Sequence, residues 1–192
     1  MPQVTQALIG ANLLIYLLER FAGDTLFAPL ALWPLGVQFG LWQPVTYAFL
    51  HGSFFHLFFN MLGLYMFGAD LERVWGPRRY LVYYAVSVLA AAIAQLGFAA
   101  FSGSAAPAIG ASGGVFGLLL AFALYFPRRT VLLLFPPIPM PAWLFATLYG
   151  ALELVLGVTG TAGGVAHFAH LGGMVGGYLV IRAWRSRRGL RG

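Results

Sequence analysis

From residue 4 to residue 184 the sequence is a succession of apolar stretches, each close to membrane-spanning length, with its arginines gathered mostly at or beyond their ends. A hydrocarbon layer about 30 Å thick is crossed by a helix of about 20 mostly apolar residues. Six stretches fit that requirement, at about residues 4–21, 54–73, 80–101, 112–127, 142–158 and 166–184. With 60% of residues apolar and 8% charged, a chain of 192 residues has too much apolar surface to hide from water in a soluble fold. In lipid every backbone polar group must be satisfied internally, which leaves helices for runs of this length. The expectation is an all-α membrane protein: one domain over residues 1–192, built as a bundle of six transmembrane helices with an interfacial loop between the first two.

Lysine is absent, so the net charge of +6 rests on arginine. Arg73, Arg78 and Arg79 fall in one gap, Arg128 and Arg129 in another, and Arg182, Arg185, Arg187, Arg188 and Arg191 at the end; Arg20 stands apart. Cytoplasmic loops of membrane proteins collect such residues. The three groups are therefore expected on the cytoplasmic face, with residues 185–192 as a basic tail on the membrane surface rather than a nucleic-acid patch. Both termini are then cytoplasmic. No basic leader precedes the first apolar run, which ends at Glu19 and Arg20 without a small-residue cleavage pattern, so it reads as a helix of the mature protein. Pro29, Pro34, Gly36 and Gly40 interrupt the region between helices one and two. It reads as a structured interfacial loop anchored by Trp33 and Trp42, with a seventh span as the alternative. "FPPIPMP", at 135–141, reads as a stiff turn before helix five. Without cysteine there is no disulfide or thiol chemistry.

The arginine groups follow helices two, four and six, so these three helices run inward from the outer face. Their first turns must lie at one level, just inside the outer membrane surface. The polar residues there are His51, His56 and Asn60 at helix two, Ser112 at helix four, and His167 and His170 at helix six. Those include all four histidines. Polar and ionisable groups at membrane depth are costly and mark function by default. His56 and Asn60, four apart, share a helical face. His170 shares one with Gly173 and Gly177, while Gly113 and Gly117 make a second small-xxx-small pair. If helices four and six meet along these glycines, Ser112 and His170 come within hydrogen-bond reach.

Such a pair performs nucleophilic acyl transfer: a neutral imidazole takes the serine proton and the oxygen attacks a carbonyl. The Ser112 backbone N–H, at the positive end of a helix, and the side chains of His56 and Asn60 are candidate oxyanion donors. No acid is evidently placed to orient His170, so the pair reads as a dyad, with Glu153 the one carboxylate worth considering. His51 and His167 read as structural, His167 shaping the pocket entrance, and Glu72 as a structural residue bonding the inner loop near Arg73 and Arg78.

Several motifs carry a resemblance. "GASG" at 110–113 looks like the G-x-S-G nucleophile motif of the rhomboid intramembrane serine proteases, with Gly110 and Gly113 flanking the serine. "AHLGGMVGG" from Ala169 looks like that family's A-H-x-x-G-x-x-x-G, which carries over His170 as the base and Gly173 and Gly177 as packing positions. "HGSFFHLFFN" resembles its helix-two motif, which implies His56 and Asn60 on the oxyanion side and His51 in support. "ERVWG" at 72–76 is similar to the short signature at the inner end of helix two, and Phe116 matches an aromatic position whose ring packs on the histidine. The chain resembles the minimal six-helix bacterial form, without an appended soluble domain.

The resemblance implies hydrolysis of peptide bonds in or beside transmembrane segments of other membrane proteins, within the bilayer, in a bacterial inner membrane. Helix-breaking and small residues near the cut should favour cleavage, and the loop after Asp24 or the outer end of helix five would gate entry. Neither metal nor organic cofactor is implied. A rival metalloprotease reading lacks H-E-x-x-H. A histidine-held metal site leaves Ser112 and Asn60 idle. The alternative is a catalytically silent relative that binds membrane clients without cutting them.

Overall fold

A computed structural model describes residues 1–134, 136–161 and 164–189. It is mostly helical. The helices longer than four residues are, among the described residues, α1 (Gln3–Ala22), α2 (Phe54–Trp75), α3 (Pro77–Ser102), α4 (Ser112–Tyr125), α5 (Ala142–Thr159) and α6 (His167–Gly189). A π-helical stretch over Leu64–Gly68 interrupts α2. Among the described residues α2, α3 and α5 are long and apolar enough to cross a membrane, and α4 is apolar but shorter. Side chains such as Ile93, Phe101 and Val158 are exposed, as expected where lipid is the solvent.

Local chemistry explains the boundaries. α3 begins at Pro77 rather than near residue 80, because proline suits the first helical turn. Arg78 and Arg79 therefore belong to that turn and not to a loop. Gly76, with φ +77°, makes the corner between α2 and α3 that other residues would strain to make. α4 ends at Tyr125, since the residue before Pro127 is pushed out of helical geometry. α6 continues to Gly189, so the expected tail from residue 185 is in large part helix; Arg191 lies outside the described residues.

Two expectations are corrected. The "FPPIPMP" stretch is not a simple turn. Thr130–Leu134 pairs antiparallel with Pro137–Pro141 in a small ribbon, β1 and β2. Pro137, Pro139 and Pro141 alternate along β2, so every missing N–H can face the unpaired side while Ile138 and Met140 keep theirs for the ladder. Glu72, in turn, does not bond the inner loop near Arg73. It is buried and caps α1: Oε1 accepts from the Val4 N–H at 2.9 Å, and Oε2 accepts from the N–H and hydroxyl of Thr5, both at 2.7 Å. A carboxylate at a helix N-terminus satisfies donors that the helix leaves unpaired. Arg73 pairs instead with Asp70, which also holds Arg129, each at 2.6 Å.

The region between α1 and α2 folds on the buried side chain of Gln43. Its amide nitrogen donates to the carbonyls of Pro29 (3.1 Å) and Gln38 (2.9 Å), and its oxygen accepts from the Trp33 N–H. Both indoles expected as lipid anchors spend their N–H inside this loop, Trp33 on Ala28 and Trp42 on Pro29. Trp42 remains exposed.

α6 packs against α3 and α4 through glycines. A Cβ on Gly173 would collide with the Gly113 carbonyl, and one on Gly172 or Gly176 with the methyls of Ala94 or Ala90 of α3. Gly177 departs from the expected α4–α6 seam: it faces the hydroxyl of Tyr83 on α3. That hydroxyl donates to the Gly117 carbonyl at 2.7 Å, tying α3 to α4.

Candidate active site

Close backbone approach is what lets short side chains on separate helices meet. With Gly113 and Gly173 in contact, Ser112 at the first position of α4 and His170 in the first turn of α6 face each other. Ser112 Oγ lies 2.7 Å from His170 Nε2. Phe116, one turn on from Ser112, stacks on the imidazole with ring centroids 4.3 Å apart and planes 5° from parallel. Stacking fixes the ring plane, so the imidazole is held edge-on to the hydroxyl.

The segment entering α4 is held from outside. Leu32 and Ala108 exchange backbone hydrogen bonds of 2.9 and 3.0 Å, and the Gly110 N–H donates to the Tyr47 carbonyl at 2.9 Å. Tyr47 is itself locked through its hydroxyl to the Val88 carbonyl. Gly110 has φ +123°, a conformation that favours glycine. A Cβ there would sit 2.6 Å from His56 Nε2 and 3.7 Å from Ser112 Oγ. The His56 ring nitrogen and the serine oxygen thus border one small space that only glycine leaves open.

Helix α2 brings His56 to that point. Ser53 is its N-cap, its hydroxyl accepting from the His56 N–H at 3.1 Å. Asn60 donates through Nδ2 to the His56 carbonyl at 3.0 Å, and a primary amide keeps a second N–H. Both residues line a cavity of about 980 Å³ together with Ser112, Phe116, His167 and His170. His51 lies behind them. It is fully buried, edge-on to His56 at 4.9 Å between ring centroids, and its backbone N–H reaches Glu19 of α1 at 3.3 Å.

Glu153 carries more than the sequence suggested. It is buried on α5, and its Oε2 lies 2.6 Å from His167 Nδ1 and 2.9 Å from His170 Nδ1. The approach to His170 is ionic in distance but off the hydrogen-bond line. The sequence signal was available: five acids in 192 residues, one of them in the middle of an apolar helix. What it lacked was the rotation of α5 about its axis, which the periodicity of a helix apolar on every side does not encode.

Serine, imidazole, a helix N-terminus and further polar groups around one cavity can bind a carbonyl, attack it and stabilise the anion that forms. The Rhomboid domain model matches residues 38–187 of the chain. Among similar proteins, a mitochondrial relative from Saccharomyces cerevisiae, Rhomboid protein 1, is 35% identical over 134 residues, or 69% of this chain and 38% of that protein. Rhomboid protease GlpG of Photorhabdus laumondii is 27% identical over 96% of this chain and 62% of its own length. Rhomboid protease GluP of Bacillus subtilis is 27% identical over 95% of this chain and 35% of its own. The chain thus spans from about a third to about three fifths of the length of these relatives.

Proposed function

Because the chain belongs to the rhomboid family and is an integral membrane protein, we propose that it is an intramembrane serine endopeptidase that cuts in or beside the transmembrane segments of other proteins. The observation that carries this reading is the 2.7 Å contact between Ser112 Oγ and His170 Nε2, made across two helices in the wall of the cavity.

In this reaction Ser112 gives its proton to His170 Nε2 as Oγ bonds to the substrate carbonyl carbon, and the carbonyl electron pair moves onto oxygen. The oxyanion develops beside His56, near the first N–H groups of α4, where fixed donors need no reorganisation. His170 then protonates the leaving nitrogen as the C–N bond breaks. Water, admitted through the cavity, attacks the acyl-serine, gives its proton to His170, and releases the acid as the proton returns to Ser112.

We place α1 to α6 as six spans, with the first turns of α2, α4 and α6 near the outer surface and both termini in the cytoplasm of a bacterium. The reading requires no cofactor. A fluorophosphonate probe tests it: labelling of the wild type, abolished by Ser112→Ala and by His170→Ala, is expected. Labelling that survives both substitutions overturns the assignment, and a wild type that never labels favours a silent client-binding protein.

A further inference from the structure

We propose that Glu153, held by His167, is a positioning residue for His170, so that the reactive pair works as a relay of serine, histidine and glutamate. The inference rests on the protease reading above and deepens it.

His170 has two ring nitrogens with different tasks. Nε2 faces Ser112 and must be unprotonated to receive its proton, so the resting tautomer must carry hydrogen on Nδ1. The Glu153 carboxylate lies 2.9 Å from Nδ1. An anion there favours the Nδ1–H tautomer and stabilises the imidazolium formed during attack, the role that carboxylates fill in soluble serine hydrolases. Burial strengthens the effect, since Glu153 is only 7% exposed and water screens it little.

The carboxylate needs an anchor of its own, because a glutamate is long and its line to His170 is imperfect. His167, one turn before His170, supplies it by donating from Nδ1 at 2.6 Å. Ser112 and Phe116 of α4, His56 of α2 and Tyr149 of α5 line the cavity together with His167 and His170, and no carboxylate is among the lining residues. Glutamate and histidine also ligate metals. These separations, however, are hydrogen-bond lengths, shorter than the roughly 3.3 Å between two ligands of a tetrahedral zinc. A group transfer is not required: Glu153 stays ionised while the proton shuttles between Ser112, His170 and the substrate.

The test is steady-state cleavage of a fluorogenic transmembrane peptide by the full chain in lipid vesicles. Glu153→Gln should lower kcat by about 100-fold, the scale on which a misplaced catalytic group acts, with KM unchanged. Glu153→Asp, which keeps the charge, should recover part of the loss, and Glu153→Ala should not. A purely structural link between α5 and α6 would show no charge-specific rescue and no kcat-against-KM split, which overturns the proposal. Should Glu153→Gln fail to fold, His167→Phe, which keeps a ring but removes the donor to Glu153, reads the same split: lowered kcat at constant KM supports the relay, and wild-type kcat overturns it. Ser112→Ala and His170→Ala run alongside. If they are inactive while the Glu153 variants keep wild-type kcat, the relay alone fails; if they still cleave, the protease reading fails with it.

Discussion

Two buried glutamates, Glu72 at the end of the bundle where α1 begins and Glu153 at the end that holds Ser112 and His170, show how partners set what one side chain can do. Glu72 accepts from two backbone amides and a threonine hydroxyl. None of these donors changes protonation near neutral pH, so the carboxylate is a fixed cap joining α1 to α2. Glu153 faces two imidazoles, one of which touches the serine. Its partners can gain and lose protons, so in the relay proposed above its charge acts on the reaction. Burial is nearly the same in both, at 4% and 7% exposure, and therefore does not separate the roles. The donors do. The ends differ too: three residues beyond Glu72, Trp75 contacts the rings of Tyr83, Tyr125 and Trp184, whereas the two histidines that Glu153 meets line the cavity.

The contrast can be broken by finding the two ends interchangeable. The largest effect is expected from Ser112→Ala, which should reduce peptide cleavage about a millionfold, to the detection limit, while leaving the melting temperature in detergent unchanged. Next, His56→Ala should cost about 100- to 1000-fold in kcat, because it removes a donor at the space beside Gly110. A loss confined to KM would remove His56 from the oxyanion side. At the other end the pattern should invert. Glu72→Ala leaves buried amides of α1 unpaired and should destabilise the fold by about 1–3 kcal/mol, read as a lower melting temperature, with kcat of the folded fraction unchanged. The smallest effect is expected from Asp70→Asn. Its pairs with Arg73 and Arg129 are exposed, and their loss should shift stability by less than about 1 kcal/mol.

Much of the site was legible from spacing. Ser112, His56 and His170 stood out because polar groups are rare in such a sequence and because arginine placement put their helices in parallel. The small-residue pairs signalled close packing, and Gly113 does meet Gly173. Partner choice was less legible. Gly177 turned to Tyr83 of α3, and Gly172 and Gly176 found alanines of the same helix, since a glycine advertises that something comes near but not what. Glu72 reads in the sequence as bonding the inner loop near Arg73 and Arg78, whereas its donors lie 67 and 68 residues away. Local sequence favours local partners, whereas the N-terminus of α1, distant in sequence but adjacent in space, offered two backbone donors.

The order of apolar runs and charges by itself determined that the chain lives in lipid as helices, and which polar residues fall at or near the first turns of three of them. Those properties follow from hydrophobic length and charge, which are additive along the chain. Only the tertiary structure decided how each helix is rotated about its axis, and hence that Glu153 stands behind His170 and Glu72 beneath α1. In a helix apolar all round, rotation is set by contacts of small residues and single hydrogen bonds between distant segments, and no stretch of sequence contains both halves of such a contact.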